Sequence, residues 1–223
     1  MGPPILKKEP AVIPVATPLF AFLTYAGVAV FAATGALAAV HRRHDIVTFV
    51  FFAAVTGVGG GTLRDLLLDQ PVFWLVDPNH LIVSAAVGAL VWTTGARRWP
   101  LKALLWLDAL GLCAFAVLGA GKALGLGLSA PVCVVMGVLT ATAGGIIRDV
   151  LAAEPSVLLR REIYLTAALL GATVFVVAEP WVGREAAGAA GFAAGFGLRA
   201  AALLFDLSLP RFGGPAEEPV GDG

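Results

Sequence analysis

The chain has 223 residues, of which 59% are hydrophobic and 13% are charged, and its mean hydropathy is +0.89. Soluble domains carry about 25% charged residues, so this composition excludes a water-soluble monomer and indicates a membrane protein. Lysine plus arginine balances aspartate plus glutamate at 15 each, so no net positive field favours nucleic acid as a partner.

Seven apolar segments follow one another along the chain. A transmembrane helix needs about 20 mostly apolar residues, and short connections with Pro, Gly and charged residues separate the segments 19–40, 46–68, 81–96, 103–124, 131–152, 163–178 and 186–207. We therefore predict an all-α, multi-pass protein of the plasma (inner) membrane, with tails at 1–18 and 208–223. The opening MGPPILKKEP could begin a cleaved signal peptide, but the first apolar segment has a counterpart later in the chain.

Basic residues in the connections predict the orientation, because Lys and Arg accumulate on the cytoplasmic side. With the N-terminus outside, the inner side holds eight of them: Arg42, Arg43, Arg97, Arg98, Lys102, Arg160, Arg161 and Arg211. The outer side holds three: Lys7, Lys8 and Arg184. The prediction is N-out and C-in.

The sequence repeats at an offset of 84 residues. GVAVFAATGALAAV (27–40) aligns with GLCAFAVLGAGKAL (111–124), and TGVGGGTLRDLLLDQP (56–71) aligns with TATAGGIIRDVLAAEP (140–155). A shared Gly-Gly-x-x-Arg-Asp block followed by Pro is hard to obtain by chance, so the duplication is an internal repeat.

Each repeat contains three spans, at 19–96 and at 103–178, and a seventh helix follows at 186–207. An odd number of spans makes the second repeat enter the membrane from the opposite side. Inverted repeats of this kind are typical of transport proteins, whose path lies near the midplane between the repeats.

Glycines lie near the middle of the second and fifth spans. The matching positions are Gly59, Gly60 and Gly61 in one, and Ala143, Gly144 and Gly145 in the other. Consecutive glycines weaken a helix, which predicts two broken helices that cross at the centre with unwound carbonyls lining a water-filled path. The alternative is close helix packing by small residues. A phosphate-binding loop is excluded, because no Lys-Ser/Thr follows the glycines.

Charged residues follow the glycines in both repeats: Arg64 and Asp65, Arg148 and Asp149. Charges at membrane depth face the bundle interior and have partners. Pairing across the repeats (Arg64 with Asp149, Arg148 with Asp65) would suit the internal symmetry. The residues either border an ion path or form structural ion pairs, and arginines beside a cation path would have to be neutralised or moved aside.

Lys122 breaks the repeat, since its counterpart is Ala38. It either extends to the membrane surface or acts as a gate or as a contact for anionic headgroups. We expect Asp108 to be interfacial, and Arg199 and Asp206 to extend to the surface near the inner end of the last helix.

The remaining reactive residue types form no known site. His41, His44 and His80 fall in connections without the spacing of metal ligands, and Cys113 and Cys133 lie in apolar segments. No nucleophile motif is present, so we predict no enzyme, no cofactor and no metal.

The paired motifs GVGGGTLRD and TAGGIIRD, the duplicated three-helix unit and the extra helix resemble prokaryotic trimeric intracellular cation (TRIC) channels over residues ~20–207. Bacterial proteins of this domain type are also described as glycine transporters. The resemblance implies a homotrimer in membrane lipid, with one hydrated pore per subunit that conducts monovalent cations (potassium or sodium), with potassium favoured.

Carried over by residue, the resemblance makes the glycines the kink positions of two pore helices, with Ala143 in place of a first glycine. Lys122 matches a basic residue that in animal members contributes to phosphoinositide binding and gating, but GKAL here lacks that motif's acidic and valine neighbours. Small residues at 188–197 would suit trimer contacts.

Two hypotheses follow. The first is a potassium-permeable channel with Lys122 and the two arginines controlling access. The second is a secondary transporter of glycine or a similar small amino acid, whose carboxylate would bind beside Arg64 or Arg148. The sequence contains no central unpaired carboxylate for proton coupling, which favours the channel.

Overall fold

The computed structural model describes residues 17–40, 45–95, 99, 101–154 and 163–208, and these residues form seven helices and no strand. The helices are α1 (Pro18–Val40), α2 (Ile46–Leu67), α3 (Phe73–Val76), α4 (Asn79–Thr94), α5 (Leu101–Gly125), α6 (Ala130–Ala152) and α7 (Leu165–Phe205). The protein is therefore all-α, as the sequence predicts.

The last helix is a hairpin. Gly183 has φ +78° inside α7, a conformation that glycine adopts without the steric cost of a side chain. It divides α7 into α7a (165–182) and α7b (184–205). The halves run antiparallel, because Gly191 faces Gly171 and Gly195 faces Ala167, with backbone approaches too close for larger side chains.

When α7 is counted as two halves and the short α3 is left out, the structure has seven helical segments, and they match the seven predicted ones. Five helices, α7 among them, are long and apolar enough to cross a membrane by length and composition, and α4 is a shorter apolar helix. The bounds differ from the predicted ones by a few residues, except that the predicted connection 179–185 is helical apart from Gly183. The short α3 was missed, because four residues carry no periodicity.

Several predictions fall on residues outside the described ranges. These include most of both tails, His41 and His44, and nearly all the basic residues that set the predicted N-out orientation. The orientation therefore stays a prediction.

The two repeats pack with internal two-fold symmetry. Gly27 of α1 lies against the ring of Phe115 of α5, and the equivalent Gly111 of α5 lies against the ring of Phe31 of α1. The two phenylalanine rings stack on each other with centroids 5.3 Å apart. Each of these residues lies 84 positions from its equivalent, so the symmetry seen in the sequence is also the symmetry of the core.

Candidate functional site

The centre of the molecule is the crossing of α2 and α6. A β-carbon added at Gly60 would lie 2.2 Å from the carbonyl oxygen of Thr140, and one added at Gly144 would lie 2.6 Å from that of Thr56. Only glycine allows two backbones to come this close. The predicted crossing at the glycines is therefore present, and it is symmetric.

The predicted broken helices are not present in this structure. Both α2 and α6 are helical throughout, from Ile46 to Leu67 and from Ala130 to Ala152, and the glycines serve close packing, which was the alternative reading. The physical reason is that a helix in a crowded bundle keeps its own hydrogen bonds, because unwound carbonyls would need other partners.

The other glycine positions differ between the repeats. Gly59 faces the end of the Ile147 side chain, and Gly61 faces the ring of Phe73 in α3. Gly145 faces the hydroxyl of Tyr164, and Ala143 is buried. The charged residues follow in the next turn of each helix, three positions after Gly61 and after Gly145.

We call Arg64, Asp65 and Lys122 the first cluster. Asp65 is fully buried and accepts hydrogen bonds at Oδ1 from Arg64 Nε (2.7 Å) and from Lys122 Nζ (2.7 Å). Its Oδ2 accepts from the backbone N–H of Phe73 (2.9 Å). One carboxylate therefore joins α2, α5 and α3, while the Lys122 side chain remains 26% exposed.

We call Arg148, Asp149, Asp108 and Tyr164 the second cluster. Arg148 is 1% exposed and donates from Nε to Asp149 (2.8 Å) and from Nη1 to Asp108 (2.7 Å). Arg199 of α7b is fully buried, and its guanidinium carbon lies 5.4 Å from the centre of the Tyr164 ring. This cluster joins α6, α5 and α7.

These contacts correct three expectations. Each repeat arginine donates to the aspartate that follows it rather than across the repeats. Asp108 is 1% exposed and paired with Arg148, and Arg199 is fully buried instead of extending to the surface. The sequence carried a signal for both residues, because a charge within an apolar segment faces the bundle interior and has a partner.

The small residues at 188–197 lie on two sides of α7b. Gly188 lies against Phe20 of α1, and Gly191 and Gly195 lie against α7a, whereas Ala189, Ala190, Ala193 and Gly197 are exposed. The contact between subunits at this stretch stays a prediction.

A third polar group lies beside the first cluster, where α3 meets α4. The hydroxyl of Tyr25 donates a hydrogen bond to Asp77 Oδ2, and the ring of Tyr25 stacks on His80 with centroids 4.4 Å apart. The rings of Phe73 and His80 make an edge contact, with their centroids 4.8 Å apart. In the described residues, no group of three or more His, Cys, Asp or Glu side chains could hold a metal ion.

The chain matches the protein-family model described as "Glycine transporter" twice, over residues 21–96 and 105–180. The two matches are offset by the same 84 residues as the repeat. Among curated relatives, the inner membrane protein YadS of Escherichia coli K12 is 41% identical over 86% of this chain and 95% of its own length. A membrane protein of Vibrio cholerae is 38% identical over 88% of this chain and 84% of its own.

Solved structures of the same fold are similar over most of the chain. The TRIC trimeric intracellular cation channel orthologue from Rhodobacter sphaeroides is 47% identical, with a TM-score of 0.80 over 85% of this chain and 99% of that one. A prokaryotic TRIC channel solved in 0.5 M KCl is 29% identical, with a TM-score of 0.79 over 86% of this chain and 98% of that one. The chain belongs to the TRIC family, is a multi-pass protein of the plasma membrane, and is no enzyme.

Proposed function

We propose that this member of the TRIC family assembles as a homotrimer in membrane lipid and conducts monovalent cations, with potassium favoured, along one path in each subunit. The path runs beside the α2–α6 crossing, from the first cluster at one end to the second cluster at the other. The observation that carries the proposal is this pair of buried charge clusters at opposite ends of a symmetric crossing. Solved relatives of up to 47% identity are described as cation channels.

The electrostatics of the clusters fit a cation path that is closed in this arrangement. Bare arginines would repel a cation, but Arg64 and Arg148 each hold a carboxylate at 2.7–2.8 Å. Two hydrogen bonds of the clusters also connect neighbouring helices, because Asp65 of α2 accepts from Lys122 of α5 and Arg148 of α6 donates to Asp108 of α5. Opening the path would require at least one of these ties to release.

Of these contacts, the ion pair between Lys122 and Asp65 is the easiest to break. Its side chain is partly exposed, whereas Arg148 and Asp108 are each 1% exposed. An ion pair with access to water is weak and costs little to break, while a buried one is costly to separate. We therefore assign the gate to Lys122 and Asp65, and a mainly supporting role to Arg148 and Asp149.

Single-channel recording of the purified protein in planar bilayers with asymmetric potassium chloride tests the proposal. We expect discrete current steps that reverse near the potassium equilibrium potential, and a changed open probability in Lys122→Ala. Native mass spectrometry of the same preparation should show three copies of the chain.

A silent bilayer combined with saturable glycine uptake into proteoliposomes would overturn the channel proposal. The name of the matching family model makes glycine the substrate to test first. Currents that Lys122→Ala leaves unchanged would keep the channel and remove Lys122 from the gate.

A further inference from the structure

We propose that His80 is a proton sensor that acts on the first cluster through the short helix α3, so that acidification loosens the cluster. The inference rests on the proposed function for its current-based test, but its structural test does not. No repeat equivalent of this arrangement exists, because the residue equivalent to His80 is Tyr164.

Helix α3 contacts the first cluster at two points and the neighbouring turn of α2 at a third. The backbone N–H of Phe73 donates to Asp65 Oδ2 (2.9 Å), and the Phe73 ring lies 5.7 Å below the guanidinium of Arg64. The next residue, Trp74, donates from its indole Nε1 to Thr62 Oγ1 of α2 (2.8 Å). A movement of α3 would therefore remove one of the three hydrogen bonds that fix the Asp65 carboxylate.

His80 holds α3 in this place. Its ring lies between the face of Tyr25 from α1 and the edge of Phe73, and the residue is 6% exposed. Its Nδ1 lies 2.9 Å from the backbone carbonyl oxygen of Asp77. A carbonyl can only accept, so Nδ1 carries the proton and Nε2 is the nitrogen without one.

The second nitrogen is the sensing atom. His80 Nε2 is buried and has no hydrogen-bond partner in the part of the chain that the structure describes. A proton added there creates a buried N–H donor and a positive charge between two rings, and both are costly without an acceptor. The imidazolium is satisfied by turning Nε2 toward water, which separates the ring from Phe73 and Tyr25.

The charged groups around His80 set the direction of the effect. Asp77 attracts the imidazolium, with Oδ2 3.7 Å from Nδ1, while the cations of the first cluster, Arg64 and Lys122, repel it and the Asp65 carboxylate between them offsets that repulsion. The hydrogen bonds from Tyr25 and from the Asn79 backbone lower the pKa of Asp77, so this carboxylate stays ionised at mildly acidic pH. Asp77 already accepts from Tyr25, and it lies on the Nδ1 side, so it cannot take the new Nε2 proton.

The current-based test compares wild type with His80→Asn, whose amide nitrogen can replace Nδ1–H but does not titrate. We expect the open probability of the wild type to rise about threefold or more between about pH 8 and about pH 5, and the rise to disappear in His80→Asn and in His80→Gln. The double variant His41→Asn/His44→Asn is the control and should keep it, since the chain has three histidines. A rise that survives in both His80 variants would overturn the proposal.

The structural test needs no current. The five tryptophans are labelled with 5-fluorotryptophan, and the Trp74 signal is assigned with Trp74→Phe. In lipid nanodiscs the ¹⁹F shift of Trp74 should change with pH in wild type and in the control, and stay constant in His80→Asn. If no current is found but this shift follows His80, the sensor stands and the channel proposal fails; if the shift does not depend on His80, the sensor is wrong.

Discussion

The two charge clusters contain the same duplicated Arg-Asp pair but differ in their surroundings. In the first cluster Asp65 is the centre and accepts from two cations, one of them partly exposed. In the second cluster Arg148 is the centre and donates to two carboxylates, all of them buried. One repeat thus places a shared anion where the other places a shared cation.

The difference arises at positions that the duplication did not keep. Lys122 stands opposite Ala38, and Asp108 stands opposite Thr24. Each partner comes from α5 and reaches only one of the two Arg-Asp pairs. The internal symmetry thus keeps the backbone and the Arg-Asp pairs alike, whereas the residues without an equivalent in the other repeat make one cluster partly exposed and the other fully buried.

The sharpest test of the comparison removes one arginine at a time. Arg148→Met should lower the free energy of unfolding by about 3–5 kcal/mol, because the buried carboxylates of Asp108 and Asp149 both lose the Arg148 guanidinium. Arg64→Met should cost less, since Asp65 keeps Lys122 and the Phe73 N–H. Unfolding temperatures in detergent, followed by tryptophan fluorescence, measure both.

A charge-matched variant controls this experiment. Adding Asp108→Asn and Asp149→Asn to Arg148→Met should recover part of the loss, because the two side chains that Arg148 neutralised are then uncharged amides. Equal losses from the two single arginine variants would contradict the assignment of one rigid and one mobile cluster.

The next largest effect is expected at the α2–α6 crossing, where the two repeats are alike. Gly60→Ala and Gly144→Ala should each destabilise by about 1–3 kcal/mol, because the added methyl group meets backbone that cannot move aside. Gly59→Ala is the matched control and should cost less, since it meets only the end of Ile147, 3.0 Å away. Thermal unfolding of the three variants gives the comparison, and unequal losses at positions 60 and 144 would argue against a symmetric crossing.

The smallest effect on stability should come from Lys122→Ala. A partly exposed ion pair contributes less than about 1 kcal/mol, so the unfolding temperature should hardly change while the open probability does. Lys122→Arg keeps the charge and should behave more like wild type. A loss of stability as large as that of Arg148→Met would show that Lys122 supports the fold instead of gating it.

The sequence predicted the general arrangement well, for reasons that particular residues make clear. Apolar runs predicted the seven long segments to within a few residues, because the thickness of the membrane demands length and hydrophobicity. The 84-residue repeat predicted the crossing of Gly60 with Gly144. The reversal at Gly183 was harder to place, since the chain stays helical on both sides of one residue.

Side-chain partners were predicted less well. The Arg-Asp neighbours were expected to pair across the repeats, because side chains adjacent in a helix point about 100° apart. Arginine is long enough to bend back to the next residue, and the structure pairs them so. Asp108 and Arg199 were expected at the surface because they lie near the ends of their helices, but packing against neighbouring helices buries both.

The sequence by itself determined the environment, the helical segments and the internal symmetry, since these depend on hydrophobicity, length and repetition along the chain. Only the tertiary structure decided that the glycines let two helices cross closely, and that Asp65 and Arg148 are the centres of the two clusters. It also decided that α3 contacts the first cluster and that His80 packs against Phe73 of α3. Those outcomes depend on which side chains distant in sequence come within hydrogen-bond distance, and on how little room the crossing leaves. Packing sets both quantities, and no local pattern records them.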